Sequence, residues 1–297
     1  KAMLIDAHVH IFPNVNGYGP KGHTHGAGYG RIDAGDGIAQ DVLPAINENT
    51  SHTLQMLLHE MRQAQVDKAV LILCPCYGDW SEYVLQACRD YPEQFTASAF
   101  FDPWSPAARQ YYAEKLEGSL WKNIKIEFSE AGGLYGVYPG VQLDAPELRW
   151  LWEAMEAGEK TVSFDLGRPG DGSYQTDQIA SIAKRHPGLK IVLCHMGQPS
   201  RTAERNPELW SAWLEQIRLG TLPNVWFDLS ALPYHVQKEE EYPFPSTKRY
   251  FDLARGIVGA KKLLWGTFHG CWGRQTISSW WHTENSFCPT VRRKSER

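Results

Sequence analysis

No apolar run in this 297-residue chain approaches the roughly 20 residues of a membrane-spanning helix, and no leader pattern precedes its first apolar stretch. We therefore expect a cytoplasmic protein with no membrane partner. Positive charge is scarce too. The formal charge is -4, and the one compact basic cluster is Arg292-Arg293-Lys294, which leaves no electrostatic footprint for nucleic acid. The six cysteines, Cys74, Cys76, Cys88, Cys194, Cys271 and Cys288, are too scattered to suggest a disulfide framework. Cys74-Pro75-Cys76 is one residue short of the redox and zinc spacing and reads as structural. Also missing is the Gly-rich phosphate turn that follows the first strand of a doubly wound nucleotide-binding sheet.

In that place stands Leu4-Ile5-Asp6-Ala7-His8-Val9-His10-Ile11-Phe12. Alternation puts Ile5, Ala7, Val9 and Ile11 on one strand face and Asp6, His8 and His10 on the other. Two imidazoles two residues apart on one face can hold a single divalent ion. The stretch 13–52 that follows reads as a long Gly-, His- and Asp-rich loop without periodicity. Its second His-x-His, His23 and His25, is expected on that flexible loop in a solvated or substrate-facing role.

Beyond it, apolar runs of strand length recur at Ala69–Leu73, Thr96–Phe101, Asn123–Phe128, Thr161–Leu166, Lys190–Cys194, Val225–Leu229 and Lys262–Trp265. Helical spacing is read at Thr53–Ala64, Trp80–Asp90, Pro106–Leu116, Pro146–Ala157, Gln175–His186 and Pro207–Leu219. Strand–helix alternation through eight strands predicts an α/β fold, the closed (β/α)8 TIM barrel. The expected barrel spans 1–267. The tail 268–297 shows no eighth-helix periodicity, so the last strand and helix are expected to be incomplete or atypical, through a shifted reading frame, a truncation or natural divergence.

Inside such a barrel the polar members of each strand converge. Lys125 and Glu127 face inward on the fourth strand, Ser163 and Asp165 on the fifth, Trp226, Asp228 and Ser230 on the seventh, while His195 ends the sixth. Buried charge is costly unless it is paired or bound to metal. Glu127 can neutralise Lys125 or serve as a ligand. Asp165 can pair with Arg168, and Arg168 can instead clamp a substrate carboxylate by its planar fork. Trp104 and Tyr77, just past the third and second strands, are candidates to line an apolar pocket, with packing as the plainer alternative. His235 is a weaker candidate again.

The Asp-x-His-x-His strand, Leu193-Cys194-His195-Met196-Gly197 and Trp265-Gly266-Thr267 together resemble the amidohydrolase superfamily, in its amidohydrolase 2 (amidohydrolase-related) branch. The resemblance implies His8, His10 and His195 as metal ligands, Glu127 joining them, with His195 binding metal or polarising substrate. It implies catalytic roles for His195, Asp165 and Arg168, and substrate contacts from Trp104, Tyr77 and Asp228. Relatives carry a fifth-strand histidine where this chain has Asp165, and an eighth-strand aspartate where it has Phe268. Phenylalanine neither binds a cation nor accepts a proton.

The implied cofactor is one divalent ion, zinc first and manganese as the alternative. The implied activity is a metal-dependent hydrolase of a small cyclic ester, amide or related carboxylate. Two alternatives stand beside it: a decarboxylase of an aromatic or unsaturated acid, and an impaired relative that only binds ligand. The expected partners are a small-molecule substrate and a second copy in a homodimer.

Overall fold

The computed structural model describes residues 3–267 apart from 44, 46 and 47. Among the described residues twelve strands run in chain order as β1 (Ile5–Val9), β2 (Asn16–Gly19), β3 (Gly22–Gly26), β4 (Arg31–Asp33), β5 (Ala39–Asp41), β6 (Lys68–Ile72), β7 (Phe95–Phe100), β8 (Trp121–Glu127), β9 (Thr161–Asp165), β10 (Lys190–Leu193), β11 (Val225–Asp228) and β12 (Leu263–Leu264). β1 and β6 to β12 form one eight-stranded sheet in sequence order. Every pair in it is parallel, as helical crossovers require. The result is the expected TIM barrel, with one seam between β12 and β1 that strand pairing does not seal. Two other contacts bridge it. The Ala7 amide donates to the Trp265 carbonyl at 2.9 Å, and the buried Asp6 carboxylate accepts from both the amide (3.0 Å) and the hydroxyl of Thr267.

The helices form where apolar spacing and caps agree. In Leu54–Ala64 the buried Leu57, Leu58, Met61 and Ala64 recur at three- and four-residue intervals, and the Thr53 hydroxyl accepts from the Met56 amide. Pro207–Arg218 starts with proline in its first turn and the Asn206 side chain capping the Glu208 and Leu209 amides. The segment before β8 is α-helical only over Ala108–Tyr111 and continues as a π-helix to Leu116. One fourteen-residue helix, Pro245–Val258, is absent from the sequence reading, although Tyr250, Phe251 and Ala254 give it a buried face.

The stretch after β1 departs furthest from expectation. It is no flexible loop: β2 to β5 form a four-stranded antiparallel sheet, and His23 and His25 lie on β3. Both remain exposed, with rings stacked 5.8 Å apart. Glycine-, histidine- and asparagine-rich strands carry little β-propensity, so this sheet is held by docking. Tyr18 and Asn16 donate their amides to the carbonyls of Pro75 (2.9 Å) and Tyr77 (3.0 Å), in the turn that follows β6. Gly17 packs so closely there that a Cβ would lie 2.1 Å from the Pro75 oxygen.

Candidate metal centre

The inner face of β1 delivers its histidines to the C-terminal mouth of the barrel, where TIM-barrel sites form. The β1–β6 register shifts between Asp6 and Val9, an irregularity of the kind that re-aims side chains beside active sites. His8 and His10 are fully buried. Their Nε2 atoms face each other at 3.2 Å. His10 Nδ1 donates to the Ile72 carbonyl at 2.7 Å, and His8 Nδ1 donates to Asp228 Oδ2 at 3.1 Å. Both acceptors are obligate, so both Nδ1 atoms carry the proton and both Nε2 atoms present lone pairs to each other. A cation between them relieves the repulsion of two such lone pairs, and two metal–nitrogen bonds at a tetrahedral angle would span about 3.3 Å. The donor set fits a divalent ion.

Electrostatics agree with that tautomer assignment. Burial drives His8 down to about 4, against the pull of Asp228, and drives His10 well below its ordinary value. Both are neutral at pH 7, the form that binds metal. Burial opposes the charge of Asp228 as well, but its contacts with His8, His195 and Ser230 hold it well below the usual carboxylate range. Asp228 accepts from the His195 amide at 3.0 Å and from the Ser230 amide at 3.1 Å. A second set of ligand atoms meets on that side of His8, where His8, Cys194 and Asp228 come within 4.8 Å of one another.

His195 sits in a strained turn. His195, Met196 and Gln198 all adopt positive φ (58°, 49° and 53°), a left-handed run rare outside glycine. The Trp213 indole donates to the Met196 carbonyl at 2.8 Å, and the Tyr174 hydroxyl donates to the Gly197 carbonyl at 2.8 Å. The turn aims His195 Nδ1 at Ser230 Oγ (2.8 Å) and Nε2 at Asp165 Oδ2 (3.2 Å). Burial works against its charge, yet Asp165 and Asp228 overcome it, and the pKa of His195 rises. Asp165 is itself held by the Gln198 amide group at 2.7 Å and the Gly167 amide at 3.1 Å.

The remaining sequence candidates are distributed differently. Glu127 pairs with the buried Lys125 at 3.0 Å and accepts from Ser129 at 2.8 Å, outside the His8–Cys194–Asp228 group. Arg168 is exposed and pairs with Asp171 rather than Asp165, because the turn after β9 carries it outward. Tyr77 is buried, stacked 4.2 Å from Phe12 with its edge toward His10. Trp104 stacks on Phe128 at 5.3 Å. Asp228, expected to touch substrate, contacts His8 Nδ1 and the His195 amide. Gln198 reaches Asp165, Ser230 reaches His195 and Asp6 reaches Thr267, contacts between segments far apart in sequence. Phe268 and the tail 268–297 lie outside the described residues.

A family model described as Amidohydrolase matches residues 5–285. The chain belongs to the amidohydrolase family. Members are metal-dependent enzymes, hydrolases and decarboxylases among them. The amidohydrolase barrel seen here is similar to that of a zinc-bound amidohydrolase from Burkholderia multivorans, with a TM-score of 0.67 and 16% identity over 99% of this chain and 94% of that one. It is similar also to a protein assigned as a 2-pyrone-4,6-dicarboxylic acid hydrolase from Acinetobacter baumannii (TM-score 0.60, 15% identity, 90% and 84% covered). A 5-carboxyvanillate decarboxylase from Sphingomonas paucimobilis shares the fold more loosely (TM-score 0.50, 16% identity, 80% and 78% covered). A comparison with curated protein sequences returns no match. No helix among the described residues is long and apolar enough to cross a membrane.

Proposed function

We propose that this amidohydrolase is a metal-dependent hydrolase of a small cyclic ester, amide or related carboxylate, holding one zinc ion through His8 and His10. The observation that carries this reading is the pair of Nε2 lone pairs facing each other at 3.2 Å, each fixed by an acceptor on its own Nδ1. When bound, the ion supplies a water of lowered pKa and polarises a carbonyl oxygen. The protein's own groups do the rest. Asp228 keeps His8 in the ligating tautomer and ties it to the His195 turn. His195, its two ring nitrogens held by Ser230 and Asp165, is a buried positive charge whose field can stabilise a developing oxyanion. Asp165 orients it and, kept ionised by His195 and Lys125 against its burial, is our candidate proton acceptor.

A decarboxylase is the second reading, favoured by the same His195–Asp165 pair, which can also deliver a proton to a substrate carbon. Metal content measured by mass spectrometry tests the site. About one equivalent of zinc after reconstitution, lost in His8→Ala/His10→Ala, is the expected result; an unchanged metal content in the double variant refutes the assignment. A panel of lactones and aromatic acids, followed by pH-stat for acid release and by a carbon dioxide sensor, then separates the two reactions.

A further inference from the structure

The turn after β6 carries two thiols that the metal centre does not use. Cys74 and Cys76 occupy the first and third positions of a tight turn closed by the Tyr77 amide on the Cys74 carbonyl at 3.1 Å. Pro75 stands between them at the position where its fixed φ pre-forms such a turn. The two side chains consequently emerge together, half-buried, with Sγ atoms 2.9 Å apart and no disulfide between them. That gap is less than 1 Å beyond the ~2.05 Å of a disulfide bond. Cys74 also lines a cavity of about 470 Å³ walled by Leu73, Phe100, Phe101 and Tyr111, which gives a small oxidant a route to the pair.

The turn has structural reach in two directions. Immediately upstream, the Ile72 carbonyl fixes His10, and Tyr77 lies against the His10 ring. The turn's own carbonyls hold the small sheet, Pro75 through Tyr18, Cys76 through the Thr24 hydroxyl, and Tyr77 through Asn16. We propose that Cys74 and Cys76 are a reversible oxidation site, converted by a peroxide to an intramolecular disulfide whose formation is felt by the docked β2–β3 hairpin. Peroxide oxidises one thiol to a sulfenic acid and leaves as water. The second sulfur displaces that hydroxyl, forming the S–S bond and releasing a second water. Two thiol hydrogens leave in the waters, and two electrons pass to the O–O bond. Closing so small a ring strains the product, and strained disulfides are the readily reduced ones.

The test uses the full chain, reduced, desalted and titrated with hydrogen peroxide, followed by differential alkylation and peptide mapping. The expected product is a Cys74–Cys76 peptide lacking two hydrogens and restored by dithiothreitol, while Cys88 and Cys194, both buried, stay reduced. Cys74→Ser and Cys76→Ser should each give a dimedone-trapped sulfenic acid at the remaining thiol instead. Independent over-oxidation of the two sulfurs without a link, or the same two-hydrogen loss in either single variant, overturns the proposal. Hydrogen exchange of the Asn16 and Tyr18 amides should change several-fold between the reduced and oxidised forms. Identical exchange refutes the coupling to the hairpin.

Discussion

Replacing Thr267 by valine removes one hydroxyl from the barrel seam while keeping side-chain shape. Thr267 is 3% exposed and its hydroxyl donates to the Asp6 carboxylate, itself 4% exposed. Burial raises the Asp6 pKa to about 7, so the comparison is made at pH 9, where Asp6 is a charged acceptor and a buried hydrogen bond to it contributes about 1.5–3 kcal/mol. At roughly 2 °C per kcal/mol for a chain of this size, Tm should fall by roughly 3–6 °C. Asp6→Ala strips the acceptor from three donors at once, the Thr267 hydroxyl and the amides of Thr267 and His8, and should cost about 3–5 kcal/mol. Because both substitutions break the same contact, they should not add: Thr267→Val should have almost no effect in the Asp6→Ala background. Urea unfolding followed by tryptophan fluorescence measures the cycle. If Thr267→Val still loses more than about 1 kcal/mol without Asp6, the seam is not held by this pair and the reasoning fails.

Four further outcomes are expected. Asp228→Asn should weaken zinc binding about 10–100-fold in chelator competition with far-UV circular dichroism unchanged, since it orients His8 without supplying the Nε2 lone pair. Lys125→Met should destabilise the fold by about 3–5 kcal/mol by leaving Glu127 buried without its partner, and Lys125→Met/Glu127→Leu should recover most of the loss in the same urea assay. Burial pushes the Cys88 thiol up to about 11, so its contribution to stability is intact below pH 9 and is lost as pH rises through about 11; the alkaline limb of a stability–pH curve should flatten in Cys88→Ala. Gly17→Ala should release the β2–β5 sheet, seen as faster proteolysis within 16–26 at nearly unchanged barrel stability, because its Cβ would meet the Pro75 oxygen.

The sequence by itself determined the barrel and the inner face of its first strand. Both rest on local periodicity: eight apolar runs separated by helical spacing, and the two-residue alternation that puts His8 beside His10. It also identified Lys125, Glu127, Asp165 and Asp228 as inward-facing, for the same reason. The Pro245–Val258 helix is legible in the spacing of Tyr250, Phe251 and Ala254. Tertiary structure decided everything that depends on which strands become neighbours. Asp228 meets His8 across 220 residues and the His195 amide across 33, so no window of sequence joins them. Tertiary structure likewise places Arg168 and Tyr77: the turn after β9 carries Arg168 to Asp171 at the surface, and Phe12 stacks on Tyr77 beside His10. The small sheet itself has too little β-propensity to declare its strands. It exists because glycine at position 17 lets one backbone lie against the turn that follows β6, a contact set by docking rather than by local preference.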